Sequence, residues 1–118
     1  MKWFKKNPKN PDYNLFLITI NTNSEFLIRY PQKDYSPKIG ECLSGTWSKK
    51  INVMKQKNLF LDIYVNNQKK IKDLRCEIKV EEFNEQNETI NTSEFSFTVS
   101  EELEKIKWNR FEVNSVMD

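Results

Sequence analysis

The reading of this chain turns on Asn58–Val80, NLFLDIYVNNQKKIKDLRCEIKV. Leu59, Leu61, Ile63 and Val65 recur at every second residue, and so do Leu74, Cys76, Ile78 and Val80. A strand sends successive side chains to opposite faces, so each set lines one face. Arg75, Glu77 and Lys79 fill the alternate positions of the second set, which gives that strand one wet face. The two alternations flank a polar link, and the pattern predicts a β-ribbon.

Upstream, Asn14–Ile20 and Glu25–Tyr30 flank Asn21-Thr22-Asn23-Ser24, and Asn and Ser suit a tight loop, so a hairpin is predicted. The first of these strands is apolar on both faces, with Leu15 and Leu17 on one and Phe16, Ile18 and Ile20 on the other. That suits a central strand covered on both sides. Residues 31–50 hold both glycines and two of the four prolines and read as a long connection, with a short strand near Glu41–Trp47. Ile51–Lys55 begins another strand. Glu81–Ser93 is a polar, acidic stretch. Glu94–Val99 alternates again, and Ser100 caps a predicted short helical turn at Glu101–Lys107. Phe111 and Val113 point one way in the last segment.

Six or seven short strands with turn signals between them predict an all-β fold, an antiparallel β-sandwich, immunoglobulin-like or similar, with one helical turn near the C-terminus. The run Phe95-x-Phe97-x-Val99, a helical turn, then Trp108-x-x-Phe111-x-Val113 is similar to the closing strands of immunoglobulin-like sandwiches. It covers about a fifth of the chain, without the paired cysteines or the tyrosine corner, and implies nothing about function. The expected core is Leu15, Leu17, Ile28, Leu61, Ile63, Cys76, Ile78, Phe97, Phe111 and Val113.

Length and composition agree with this. A chain of 118 residues suggests one domain, with 1–11 as an extended basic arm interrupted by Pro8 and Pro11. Such a chain buries roughly 65% of its unfolded surface, enough for a core without staples. It has no alanine, the best helix former, while aromatic residues make up 13%. Charge is uneven: the chain through Lys72 carries +9 and the remainder −7, for a net charge of +2. Strands from the two halves are expected to pair and mix these charges. Cys42 and Cys76 make no disulfide framework, and Cys76 sits among apolar residues, so both are expected to be free thiols in a reducing, cytoplasmic compartment. No stretch approaches the roughly 20 apolar residues of a membrane span.

Function is approached through what the chain lacks. With no histidine, no Ser-His-Asp or Cys-His nucleophile can be assembled, and two cysteines alone close no thiolate site. There is no glycine-rich phosphate loop, since Gly40 and Gly45 are the only glycines. No cofactor or metal is expected, and no enzymatic activity. Asp62, between Phe60 and Tyr64, is expected on a wet strand face, solvated or paired with a lysine. Two binding classes remain. A protein-binding module, such as a small accessory, immunity-type or inhibitor protein, would use the punctuated loop, with Tyr30, Tyr35, Leu43 and Trp47 as anchors. A nucleic-acid or anionic-surface binder would use the lysine-rich half, chiefly Lys49, Lys50, Lys55, Lys57, Lys69 and Lys70. Phe60 and Tyr64, with Arg29 nearby, would then offer bases a stacking platform.

Overall fold

The structure is a computed structural model that describes residues 13–30, 38–42, 45–54, 58–99 and 107–116; side chains are described outside 38–42 and 45. The basic arm 1–11 and residues 101–106 of the expected helical turn lie outside the described residues; Lys107 is not helical.

Eight strands are described: β1 (Tyr13–Thr22), β2 (Glu25–Tyr30), β3 (Lys38–Cys42), β4 (Gly45–Met54), β5 (Leu59–Asn66), β6 (Leu74–Phe83), β7 (Thr89–Val99) and β8 (Asn109–Val113). They form two antiparallel four-stranded sheets, sheet A in the order β4-β1-β6-β7 and sheet B in the order β3-β2-β5-β8. This is the all-β sandwich that the alternations predicted. The core between the sheets takes Phe16, Ile18 and Ile20 from β1, Phe26 and Ile28 from β2, and Ile51 and Val53 from β4. The two alternating sets of β5 and β6 complete it with Val113.

The decisive stretch folds differently from the expectation in one respect. β5 and β6 do not pair as a ribbon. β5 lies between β2 and β8 in sheet B, and β6 between β1 and β7 in sheet A. Their apolar sets meet across the core, and the link carries the chain over one end of the sandwich. Asn67, 1% exposed, organises that link. Its Oδ1 accepts from the Ile71 N–H at 2.8 Å, and its Nδ2 donates to the Ile71 carbonyl at 3.0 Å. The side chain thus imitates a strand partner for Ile71. Lys70 and Asp73 take positive φ, 52° and 56°, which bends the link back toward sheet A.

The β1–β2 hairpin is corrected in the same way, because β1 belongs to sheet A and β2 to sheet B. Only Asn23 and Ser24 separate the strands. Three virtual bonds of extended chain reach about 10 Å, which matches the spacing of stacked sheets. The arch is tied to both: Thr22 Oγ1 donates to the Arg75 carbonyl of β6 at 2.8 Å, and Ser24 Oγ donates to the Asn66 carbonyl of β5. β1 is central as expected, but Leu15 and Leu17 lie half-buried on its outward face rather than in the core. Phe97 and Phe111 are half-buried and pack against the core rather than inside it.

The polar, acidic stretch Glu81–Ser93 forms the tip of a long hairpin between β6 and β7. β6 runs on to Phe83, and Asn84 makes the turn, its Oδ1 accepting from the N–H groups of Gln86 and Glu88 at 2.9 Å each. Within it, Glu82 is 1% exposed. Its carboxylate accepts from Ser115 Oγ and from the Val116 N–H at 3.0 Å, and Asn14 Nδ2 donates to Ser115 Oγ at 2.9 Å. Buried charge needs such partners. The carboxylate pins the chain after β8 onto β6.

The closing strands also depart from the immunoglobulin resemblance, because β7 and β8 lie in opposite sheets, whereas the last two immunoglobulin strands share one. Phe111 of β8 stacks on Phe97 of β7 at 5.7 Å and lies 5.1 Å from Phe95, covering part of that flank of the sandwich. Cys76 is a free, fully buried thiol, and burial pushes its pKa up to about 12.

Candidate functional site

The outward face of sheet B gathers the chain's most concentrated aromatic and charged cluster among the described residues. Alternation turns Leu27 and Arg29 of β2, Phe60, Asp62 and Tyr64 of β5, and Arg110 and Glu112 of β8 away from the core. The register sets Arg29, Asp62 and Arg110 in one row across three adjacent strands. Arg110 holds Asp62 with two parallel bonds, Nε to Oδ1 at 2.8 Å and Nη2 to Oδ2 at 3.0 Å. This fork geometry is the strong form of a carboxylate pair. Hydrogen bonding from Arg110, and then the positive charge of Arg110 and Arg29, hold the Asp62 carboxyl below its usual range despite its partial burial.

Aromatic rings frame the row. The Arg29 guanidinium sits 4.1 Å from the centroid of Trp108, and Tyr64 meets the same indole at 5.9 Å. Arg110 lies over Phe60 at 5.1 Å. Phe60 is 38% exposed, unusual for a phenylalanine in a small sandwich. Asn58 Nδ2 donates to the Glu112 carboxylate at the rim. Arg29 is held tightly enough that its Nε is buried with no acceptor among the described residues, which costs about 1–3 kcal/mol. The cation–π contact with Trp108 offsets part of this.

The expected wet-face setting of Asp62 is therefore a paired one, with arginine rather than lysine. An Asp whose folded pKa is lowered adds stability that is present above its unfolded pKa, about 3.9, and lost as pH falls through the lower folded value. Thermal unfolding followed from pH 5 down to pH 2 is expected to show a smaller loss for Asp62→Asn than for the parent chain. Identical acid profiles would mean that the pair contributes nothing.

The residues singled out from the sequence are placed as follows. Tyr30 is 6% exposed and packs 6.0 Å from Trp47. Trp47, half-buried, also meets the Phe26 ring edge-on at 6.0 Å. The two are brought together, but as the seal of the flank opposite Phe111. Tyr35 and Leu43 lie outside the described residues, as do Lys55 and Lys57. Lys49 and Lys50 are exposed midway along the edge strand β4, whereas Lys69 and Lys70 are exposed in the β5–β6 link. The two pairs sit on separate elements. Strands of the two halves pair as expected: β1 and β4 join β6 and β7 in sheet A, where Lys50 and Glu81 flank Leu17. A shallow groove of about 560 Å³ over that sheet is lined by Arg75 and Lys79 together with Glu77 and Glu94, so no single sign dominates it.

Phe60 and Tyr64 were legible as a pair from alternation, and it is the β2–β5 register that brings Arg29 beside them. Trp108 and Arg110 were not, although their spacing from Phe111 and Val113 placed them on the opposite face. Among the described residues no three His, Cys, Asp or Glu side chains converge to hold a metal ion, and no helix is long and apolar enough to cross a membrane. Compared with known protein families, curated proteins and solved structures, the chain matches none.

Proposed function

We propose that this protein is a non-enzymatic binding module that takes a protein partner on the outward face of sheet B. One observation carries the reading: Arg29, Trp108 and Tyr64 pack as a unit beside the Asp62–Arg110 pair and Phe60. Tryptophan, tyrosine and arginine dominate the energetics of protein interfaces. Here they are pre-ordered by a rigid sheet, which lowers the entropy lost on docking. The arginines are balanced by Asp62 and Glu112, which favours a mixed polar and apolar protein surface over a run of phosphates. The lysine-based nucleic-acid reading has less support, since Lys49 and Lys50 stand apart from Lys69 and Lys70. A small accessory, immunity-type or inhibitor protein fits a module of this kind, acting in the cytoplasm, where the free Cys76 would stay reduced.

The test is affinity capture from the native host, followed by a binding measurement on the recovered partner. Trp108→Ala is expected to weaken that complex by about 2 kcal/mol, roughly thirtyfold, while Lys50→Ala leaves it unchanged. Equal binding by both variants would sink the proposal. So would salt-sensitive retention on single-stranded oligonucleotide with no protein captured, an outcome that belongs to the nucleic-acid reading.

A further inference from the structure

Open sheets need protected edges, because an unpaired strand offers its N–H and C=O groups to any other strand. Three of the four edges here carry a recognisable device. β4 has Lys49 and Lys50 side by side and exposed, and Lys49 shares the inward parity of Ile51. β3 and β8 are only five residues long, and each carries charge. β7 has none of these. It runs for eleven residues, Thr89–Val99, with Glu94 as its one charge and no lysine, arginine, proline or glycine. Seven of the eleven are Thr, Ile, Phe or Val, which favour strands. Among the described residues it pairs only with β6. Its inward side chains Phe95, Phe97 and Val99 are left half-buried at the flank, where the opposing β8 is less than half as long.

We propose that β7 pairs with β7 of a second copy of this chain, antiparallel about a two-fold axis at Ser96, joining two four-stranded sheets into one of eight. The charge pattern selects both the occupant and the register. Pairing about the middle of the strand would set Glu94 against its own copy, and like charges directly opposite are unfavourable. Moving the axis to Ser96 sets Glu94 opposite Thr98 of the second copy. On β6, Lys79 neighbours Glu94 and Arg75 neighbours Thr98. The outward row then reads Lys79, Glu94, Thr98 of the second copy, Arg75 of the second copy, so Glu94 has Lys79 beside it and a second cation beyond Thr98, while the row through the axis carries Glu77 of each copy outside the two Ser96 residues. The inward row gains equally. Ile78 neighbours Phe95 and Cys76 neighbours Phe97, so the row runs Ile78, Phe95, then Phe97 and Cys76 of the second copy. Two Phe95–Phe97 pairs flank the axis, and aromatic cross-strand pairs are among the favourable ones. A peptide from another protein would meet the same edge without this reciprocity. The surface is distinct from the face proposed to bind a partner, so either reading stands without the other.

Sedimentation equilibrium of the full chain over a wide concentration range is expected to show a reversible dimer. Ser96→Glu, at an exposed outward position beside Glu77, sets four carboxylates in the row through the axis and should weaken the dimer by roughly tenfold or more, with the circular dichroism spectrum unchanged. Ser96→Cys provides a test that needs no disruption. Residues facing each other across an antiparallel pair lie about 4.5–5.5 Å apart at Cα, within disulfide reach. Oxidation should link Ser96→Cys chains covalently above the background of the unmodified chain. Thr92→Cys should not cross-link, because four residues from the axis it lies roughly 27 Å from its counterpart. A chain that stays monomeric throughout, or a dimer indifferent to Ser96→Glu, overturns the proposal. Equal cross-linking at both positions overturns the register.

Discussion

Replacing Ile18 with alanine is expected to cost about 3–4 kcal/mol of folding stability, and replacing its neighbour Leu17 no more than about 1.5. The residues are adjacent and similar in volume, so the difference isolates which face is covered. Ile18 is fully buried and packs into the space between the sheets. Truncating it removes apolar contact and leaves a cavity that a close-packed sandwich cannot collapse to fill. Leu17 points outward, half-buried, between Lys50 of β4 and Glu81 of β6. Its loss costs some burial and some strand propensity but opens no void. Urea unfolding with a common m-value would give both numbers. Similar costs at the two positions would mean that β1 is covered on both faces, as its sequence alone suggests.

Asn67→Ala is expected to cost about 2–3 kcal/mol, a large loss for a polar residue in a link. The substitution removes two hydrogen bonds and leaves the N–H and C=O of Ile71 without their amide partner. Asn67→Asp is a sharper comparison. It keeps an acceptor for the Ile71 N–H but turns a carboxylate oxygen toward the Ile71 carbonyl, so it should be at least as damaging as alanine near neutral pH. Lys69→Ala, exposed in the same link, should change stability by less than about 0.5 kcal/mol. Guanidinium denaturation midpoints for the three variants would order them. An Asn67→Ala chain within 0.5 kcal/mol of the parent would show that the link is held by its ends and not by this side chain.

The face of the candidate site was partly legible. Alternation along β5 puts Phe60, Asp62 and Tyr64 together, because side-chain parity is a local property of a strand. It does not say which strand lies alongside. Arg29 and Arg110 come from positions 33 residues before and 48 residues after Asp62, and only the sheet register sets all three in a row. Tyr30 and Trp47 show the opposite limit. Aromatic residues flanking a loop read as interface anchors, but the same rings also close the flank of a sandwich, and here the structure has them doing so.

By itself the sequence determined that the chain is all-β, where most of its strands lie, and which face of most of them is apolar. These follow from the two-residue period of the strand and from a composition without alanine. Tertiary structure decided which sheet each strand joins. In β1 and β2, and again in β5 and β6, two apolar alternations separated by a polar link satisfy a hairpin and an arch equally well, since both bury the same side chains. The choice falls to non-local terms: the Thr22 and Ser24 hydroxyls reaching β6 and β5, and the Glu82 carboxylate finding Ser115 and Val116. Each joins residues that no local pattern brings together, so their contribution arises only once the two sheets have met.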